Sequence, residues 1–138
     1  MISEADYFNN KVGSPEVTDA VECNAAKLLM RVNRLIWDYF KATGREVVVS
    51  PKTRTCVSGN LNGDGGFRLS GSTTGASKSS HKEGKGVDIF DPKGELDSWI
   101  TDGVLAQHEL YREAPASTVG WVHLTTRAPG SGKRTFNP

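Results

Sequence analysis

The sequence has few cysteines, no long apolar run and almost no net charge, and each shortage excludes a class of protein. Two cysteines, Cys23 and Cys56, are too few for a disulfide framework or a cysteine-only zinc site, so we expect two separate, largely buried thiols. There is no apolar run of about 18 residues, so no membrane span is expected. A net charge of +1 gives no electrostatic signal for nucleic-acid binding.

The first thirty or so residues also lack the apolar segment of a signal peptide, and acidic side chains are scattered through them. We therefore expect a protein made in the cytoplasm without a signal peptide, which would need another agent to release it. Its 138 residues suffice for one domain with its own core. Hydrophobic residues at 36% and charged residues at 24% are typical of a globular protein.

Hydrophobic spacing predicts a long amphipathic helix as the clearest element. Thr18 is placed to cap its N-terminus, Gly44 is placed to end it, and apolar side chains recur between them at helical spacing. Residues 1–17 are expected to form a loosely structured lead-in. Residues 18–138 are then the folded domain.

Beyond this helix, short strands and loops are predicted, with one more helix. The strands are expected at 46–50, 86–90 and 120–125, and the helix at 95–109. Residues 57–80 are rich in small polar residues and glycine, which predicts a long loop of the kind that often carries function. This order of elements indicates an α+β fold.

Two of the three histidines lie in distinctive surroundings. Glycines between His81 and Asp88 argue against a helix there, so we expect His81 on a loop and Asp88 on the strand that follows. His123 lies on the last predicted strand. Two imidazoles and a carboxylate, with a fourth position for water, form the ligand set of a catalytic zinc site. The number of such residues alone does not establish a metal site, and the surrounding motif is what favours one.

The motif resembles that of zinc peptidases that cleave D-alanine bonds in peptidoglycan. This family includes D-alanyl-D-alanine carboxypeptidases and dipeptidases, and small phage endolysins that cut between L-alanine and D-glutamate. The matching residues are Ser79-x-His81-x-x-Gly84-x-Gly86-x-Asp88, followed by Trp121-x-His123. The match extends over about 46–125, and within the first motif it departs only at Gly86, where the family usually has alanine.

The resemblance implies a Zn²⁺ ion held by His81, Asp88 and His123. It also implies a hedgehog-type peptidase fold, a small α+β domain with a central antiparallel sheet that carries the zinc cleft between flanking helices. Arg54 matches a family arginine that holds a substrate carboxylate, a role suited to a planar guanidinium. Ser79 and Trp121 in the motif are expected to contact substrate.

The catalytic base departs from the family pattern. Many relatives place an acidic residue three positions before the second histidine, where this chain has Gly120. The segment before Gly120 resembles that of small phage members, and on that basis we expect Glu113 to be the base. Glu109 is the alternative.

The resemblance therefore implies a zinc metallopeptidase that hydrolyses peptidoglycan stem peptides, of the carboxypeptidase or the endopeptidase type. A single catalytic domain suits a phage lytic enzyme that acts on the cell wall after release in an infected host. We expect a monomer whose partner is the peptide substrate, with no nucleic acid or membrane involved. The alternative is a non-catalytic zinc-bearing protein of the same fold, structural or cell-wall-binding, which the missing acid at Gly120 favours.

Overall fold

The N-terminal segment is part of the hydrophobic core. In the computed structural model, which describes residues 1–138, helix α1 (Glu4–Phe8) is followed by a 3-10 turn. Its hydroxyl-capped start fixes the helix in spite of its length. Tyr7 and Phe8 of this helix are buried, and so is Ile2, which precedes the helix. The expectation of a loosely structured lead-in over 1–17 is therefore wrong. A helix of this length has too few residues to show the hydrophobic periodicity from which it could have been predicted.

The long helix α2 (Asp19–Thr43) confirms the prediction from hydrophobic spacing. The Thr18 hydroxyl accepts a hydrogen bond from the Val21 N–H at 3.2 Å, and Gly44 ends the helix in the left-handed conformation at φ 71°. One face of the helix is buried in the core. Its buried residues are Ala25, Leu28, Leu29, Val32, Leu35, Ile36 and Tyr39. No helix in the structure has the length and apolar character needed to cross a membrane.

A four-stranded mixed sheet lies beside these helices. Its strands are β1 (Gly86–Phe90), β2 (Tyr111–Glu113), β3 (Trp121–Thr125) and β4 (Thr135–Phe136). Their order is β1-β3-β2-β4, with β3 antiparallel to both of its neighbours. Strand β4 pairs with β2 in parallel, because the chain reverses after β3 and then runs along β2. The sheet is thus mixed and not purely antiparallel.

Of the other predicted strands and helices, some form as expected and others do not. The strands at 86–90 and 120–125 are confirmed, but 46–50 forms no strand, since its valines find no partner strand. The helix predicted over 95–109 is two helices, α3 (Glu95–Trp99) and α4 (Asp102–Gln107). The chain becomes extended between them, and a threonine then caps the second helix.

The loop predicted over 57–80 covers the free edge of β1. The Asp88 N–H donates to the Gly65 carbonyl and the Asp88 carbonyl accepts from the Ser58 N–H, both at 2.8 Å. A Cβ on Gly65 would lie 1.9 Å from the Ser58 carbonyl oxygen, and one on Gly66 would lie 2.0 Å from that of Tyr7. Only glycine therefore lets the loop fit between β1 and α1.

The two faces of the sheet have different environments. Alternate residues of β1 and β3 point into a single hydrophobic cluster that also contains the buried faces of α1 and α2. These inward residues are Val87, Ile89, Val122 and Leu124. Asp88 and His123 stand between them in sequence and so lie on the opposite face, in register with each other.

We expect Tyr7→Ala to lower the free energy of unfolding by about 3–5 kcal/mol, the usual cost of truncating a large buried aromatic side chain. Tyr7 is fully buried and its hydroxyl donates to the Gly86 carbonyl at 2.9 Å. Urea denaturation followed by circular dichroism measures the change. Val12→Ala is the control, since Val12 is 62% exposed in the same segment. Equal stability of the two variants would show that the segment is not part of the core.

Candidate metal centre

Each of the three ligand candidates is held by regular structure. His81 lies on a 3-10 turn (Ser80–Glu83) that the Ser79 hydroxyl caps by accepting the His81 N–H at 3.2 Å. Asp88 is the central residue of β1 and His123 that of β3, and the two are direct partners across the strands. The loop-then-strand arrangement predicted from the glycines is therefore confirmed.

The three side chains converge on one point. Asp88 Oδ1 lies 3.2 Å from His81 Nε2 and 2.8 Å from His123 Nδ1, and the two ring nitrogens are 3.2 Å apart. Ligand atoms about 2.0–2.1 Å from a tetrahedral metal ion lie about 3.3 Å apart. The observed separations are close to that value, so these residues could hold a metal ion.

The other nitrogen of each ring also has an oxygen partner, as is typical of histidines that bind metal. His81 Nδ1 donates to the Gly66 carbonyl at 2.8 Å, which leaves Nε2 free to bind a cation. His123 Nε2 lies 3.4 Å from the Ser80 hydroxyl, and its Nδ1 faces Asp88. The rings are therefore oriented with their ligand atoms toward each other.

Sequence reasoning missed Arg68, which is buried against the aspartate. Its Nη2 lies 3.3 Å from Asp88 Oδ2, so the guanidinium holds the oxygen that does not face the histidines. Its Nε donates to the Asp64 carbonyl at 2.6 Å, and Nη1 to the Thr74 carbonyl at 3.3 Å. Arg68 therefore orients the carboxylate and ties the 57–80 loop to it.

The charge balance favours an ionised Asp88. Burial alone raises the pKa of this carboxyl, but the charge of His81 and the hydrogen bonds from His123 and His81 outweigh it. The net result is a pKa well below the usual range. The ionised carboxylate and the two imidazole nitrogens are ligand types that divalent transition-metal ions accept.

The site opens into a cleft of about 620 Å³ that is lined mostly by polar and charged residues. Of the residues predicted to act on substrate, Ser79, Trp121 and Glu113 line this cleft with the three ligand candidates. Arg68, Lys78 and Arg127 also line it. These basic side chains come from the long loop and from the segment after β3.

Glu113 and Glu109 are placed very differently. Strand β2 pairs with β3 as Tyr111 with Thr125 and Arg112 with Leu124. Because side chains alternate along a strand, the next residue, Glu113, lies on the face opposite to Arg112, and it lines the cleft with His123 and Asp88. Glu109 is not a cleft residue. Its side chain is 71% exposed and forms an ion pair with Arg31 at 3.3 Å.

Arg54 does not lie at this site. It is exposed, with a left-handed φ of 61°, and it lines a separate groove beside Trp37 and Phe40. The predicted contact with a substrate carboxylate depended on a strand at 46–50 that would deliver Arg54 to the cleft edge. That strand does not form, and Arg54's position gives the predicted contact no support.

Comparisons with known proteins add no assignment. No family model matches the chain, and neither a curated protein nor a solved structure is similar to it at a significant level. The support for a metal centre is therefore the arrangement of this chain's own side chains.

We expect the protein to bind one divalent transition-metal ion per chain. Titration of metal-free protein with Co²⁺, followed by absorption and calorimetry, should show a single site. His81→Ala and His123→Ala should each abolish stoichiometric binding, because each removes one of three ligands. His108→Ala is the control, as that histidine pairs with Asp38 at 2.8 Å outside the cleft. Full binding by both ligand variants would exclude this metal centre.

Proposed function

We propose that the protein is a zinc-dependent peptidase that hydrolyses peptide bonds in bacterial peptidoglycan stem peptides. The observation that carries the proposal is the convergence of His81, Asp88 and His123 in a cleft that Glu113 also lines. Two imidazoles and one carboxylate at tetrahedral spacing suit zinc, and a site with three protein ligands leaves a position for the reaction.

Zinc in such a site acidifies a bound water to a pKa of about 7 and polarises a carbonyl oxygen. The rest of the chemistry comes from the chain. Glu113, on the same sheet face as the ligands, would accept a proton from the attacking water and return it to the leaving amine. Arg68 would keep Asp88 ionised and correctly turned.

The motif and the fold support the same family of enzymes. A small α+β domain with the candidate ligands on two antiparallel strands is consistent with the hedgehog-type peptidase fold that the motif implies. Gly120 stands where many relatives have the acidic residue, and in this chain Glu113 on β2 would provide the acid in the cleft instead. We further propose that a phage releases the enzyme late in infection, and that it acts on the wall as a monomer.

The lining of the cleft suits a polar peptide. Few of its side chains are hydrophobic, and among its basic residues Lys78 forms no ion pair, whereas Arg68 pairs with Asp88 and Arg127 with Glu83. Stem peptides carry free carboxylates, which arginine binds through paired hydrogen bonds. Trp121 offers an aromatic surface at the cleft for the peptide backbone or a methyl group. Because Arg54 lies elsewhere and Arg68 is held by Asp88, we assign carboxylate recognition to Lys78 and to Arg127, whose pair with Glu83 is exposed to solvent.

The alternative function is a non-catalytic zinc-bearing protein that binds the cell wall. Gly120, in place of the family's acid, is the feature that favours it. The two functions differ in one measurable product, because only a peptidase releases new peptide termini. Mass spectrometry of purified muropeptides after incubation with the zinc-loaded protein therefore separates them, and it also identifies the bond that is cut.

We expect Glu113→Gln to lower kcat by about 10²–10⁴-fold, the usual loss for an acid–base group, while zinc binding and folding are kept. The matched control is Glu109→Gln, which changes an exposed carboxylate that precedes β2 and lies outside the cleft. Release of muropeptide fragments measures the rate. Loss of activity in the Glu109 variant alone would transfer the role of base to that residue. Absence of any cleavage by the wild type would favour the binding protein.

We expect Arg54→Ala to keep kcat/KM within about twofold, since the residue is exposed away from the cleft. Arg68→Lys should weaken zinc binding by about tenfold or more and lower kcat/KM, because lysine loses the fork that holds Asp88 and the loop. Zinc titration and muropeptide kinetics are measured on both variants. A larger loss of kcat/KM in Arg54→Ala than in Arg68→Lys would show that Arg54 holds the substrate carboxylate after all.

A further inference from the structure

The partner of the His123 ring is a hydroxyl on a neighbouring turn. Ser80 is 4% exposed and its Oγ lies 3.4 Å from His123 Nε2. This hydroxyl has no other hydrogen-bond partner among the protein's groups, and the residue is the first of the 3-10 turn that also carries His81. One short turn thus carries both the ligand candidate His81 and the serine that contacts the ring of His123.

The space for this hydroxyl exists because residue 86 is glycine. A Cβ on Gly86 would lie 2.3 Å from Ser80 Oγ and 3.0 Å from His123 Cε1. A real side chain at this position would displace the hydroxyl from the ring. The φ of Gly86 is not in the left-handed region, so backbone conformation does not require glycine here. The requirement comes mainly from the Ser80 hydroxyl, which is the closest atom, and in smaller part from the His123 ring.

We propose that Ser80 is a positioning residue for His123 and that Gly86 is small in order to admit it. With Nδ1 directed at the metal, the Nε2–H of His123 donates to Ser80 Oγ, which fixes the tautomer and the turn of the ring. This matches the role of the Gly66 carbonyl toward His81. The alanine usual in the motif would fill the volume that the hydroxyl occupies, so the departure at Gly86 and the serine at 80 form one unit. The inference rests on the metal role proposed for these histidines.

The first test is metal affinity. Ser80→Ala should raise the dissociation constant for Co²⁺ and Zn²⁺ about tenfold, the lower end of the range for lost partners of ligand histidines. Gly86→Ala should give a similar loss, because it expels the hydroxyl, and should also lower the melting temperature. The double variant Ser80→Ala/Gly86→Ala should recover melting temperature relative to Gly86→Ala and bind metal no worse than Gly86→Ala, because both single changes remove the same hydroxyl contact.

A second readout reports on the ring itself. In zinc-loaded protein the His123 Nε2–H proton should give a protected NMR resonance that exchanges faster with water in Ser80→Ala. The matched control is Ser50→Ala, which removes a serine that is equally buried, at 2% exposure, and whose hydroxyl accepts from the Lys52 backbone outside the cleft. It should lower stability without changing metal affinity or the His123 resonance.

Three results would overturn the inference. They are an unchanged dissociation constant in Ser80→Ala, an unchanged His123 Nε2–H resonance in that variant, or losses that multiply in the double variant. If Gly86→Ala does not fold, the Ser80→Ala measurements still decide the point. None of these readouts requires peptide hydrolysis. If the wild type does not cleave peptides but the variants lose metal affinity as expected, the peptidase proposal is refuted and the positioning role of Ser80 is kept. If the wild type cleaves peptides but Ser80→Ala binds metal as tightly as the wild type, the positioning role is refuted and the peptidase proposal is kept.

Discussion

The direct pairing of Asp88 with His123 across two antiparallel strands is the constraint on which the rest of the site depends. The register fixes both side chains on one face of the sheet, while their neighbours in sequence fill the core on the other. A slip of one residue in either strand would turn a ligand candidate into the core and expose a valine or leucine. Burial of the apolar residues therefore holds the polar site in place.

Each polar side chain at this site has a polar partner from another part of the chain. Arg68 takes one carboxylate oxygen, the Gly66 carbonyl takes His81, and the Ser80 hydroxyl faces His123. Buried polar groups of this kind are costly when unpaired and are strongly directional when paired. The long loop is thus an ordered part of the site, in spite of its small polar residues.

The sequence was sufficient for the long helix, for β1 and β3, and for the three ligand candidates, because each has a strong local signature. Periodicity identified α2, and a motif with fixed spacing identified His81 and Asp88. Strands of two or three residues and a five-residue helix carry no such pattern, so β2, β4 and α1 were missed. Contacts between distant segments leave no local trace in the chain.

The two arginines show the same limit. Arg54 was chosen for its place after an expected strand, and its location changed when that strand did not form. Arg68 carried a usable signal, since it is a basic residue between Phe67 and Leu69 inside a loop of small polar residues. A charged residue flanked by apolar ones in such a loop is a reasonable candidate for burial with a partner.

The contacts of α1 have a consequence for the order of assembly. The Tyr7 carbonyl accepts from the Phe67 N–H, and the Tyr7 hydroxyl donates to the carbonyl of Gly86, the first residue of the strand that carries Asp88. His123 arrives much later in the chain. During synthesis the first helix leaves the ribosome without any of these neighbours, and loop closure over such separations is slow. A nascent or prematurely terminated chain that lacks β3 would therefore lack both His123 and the strand pairing that positions Asp88, and so would have no complete set of ligands.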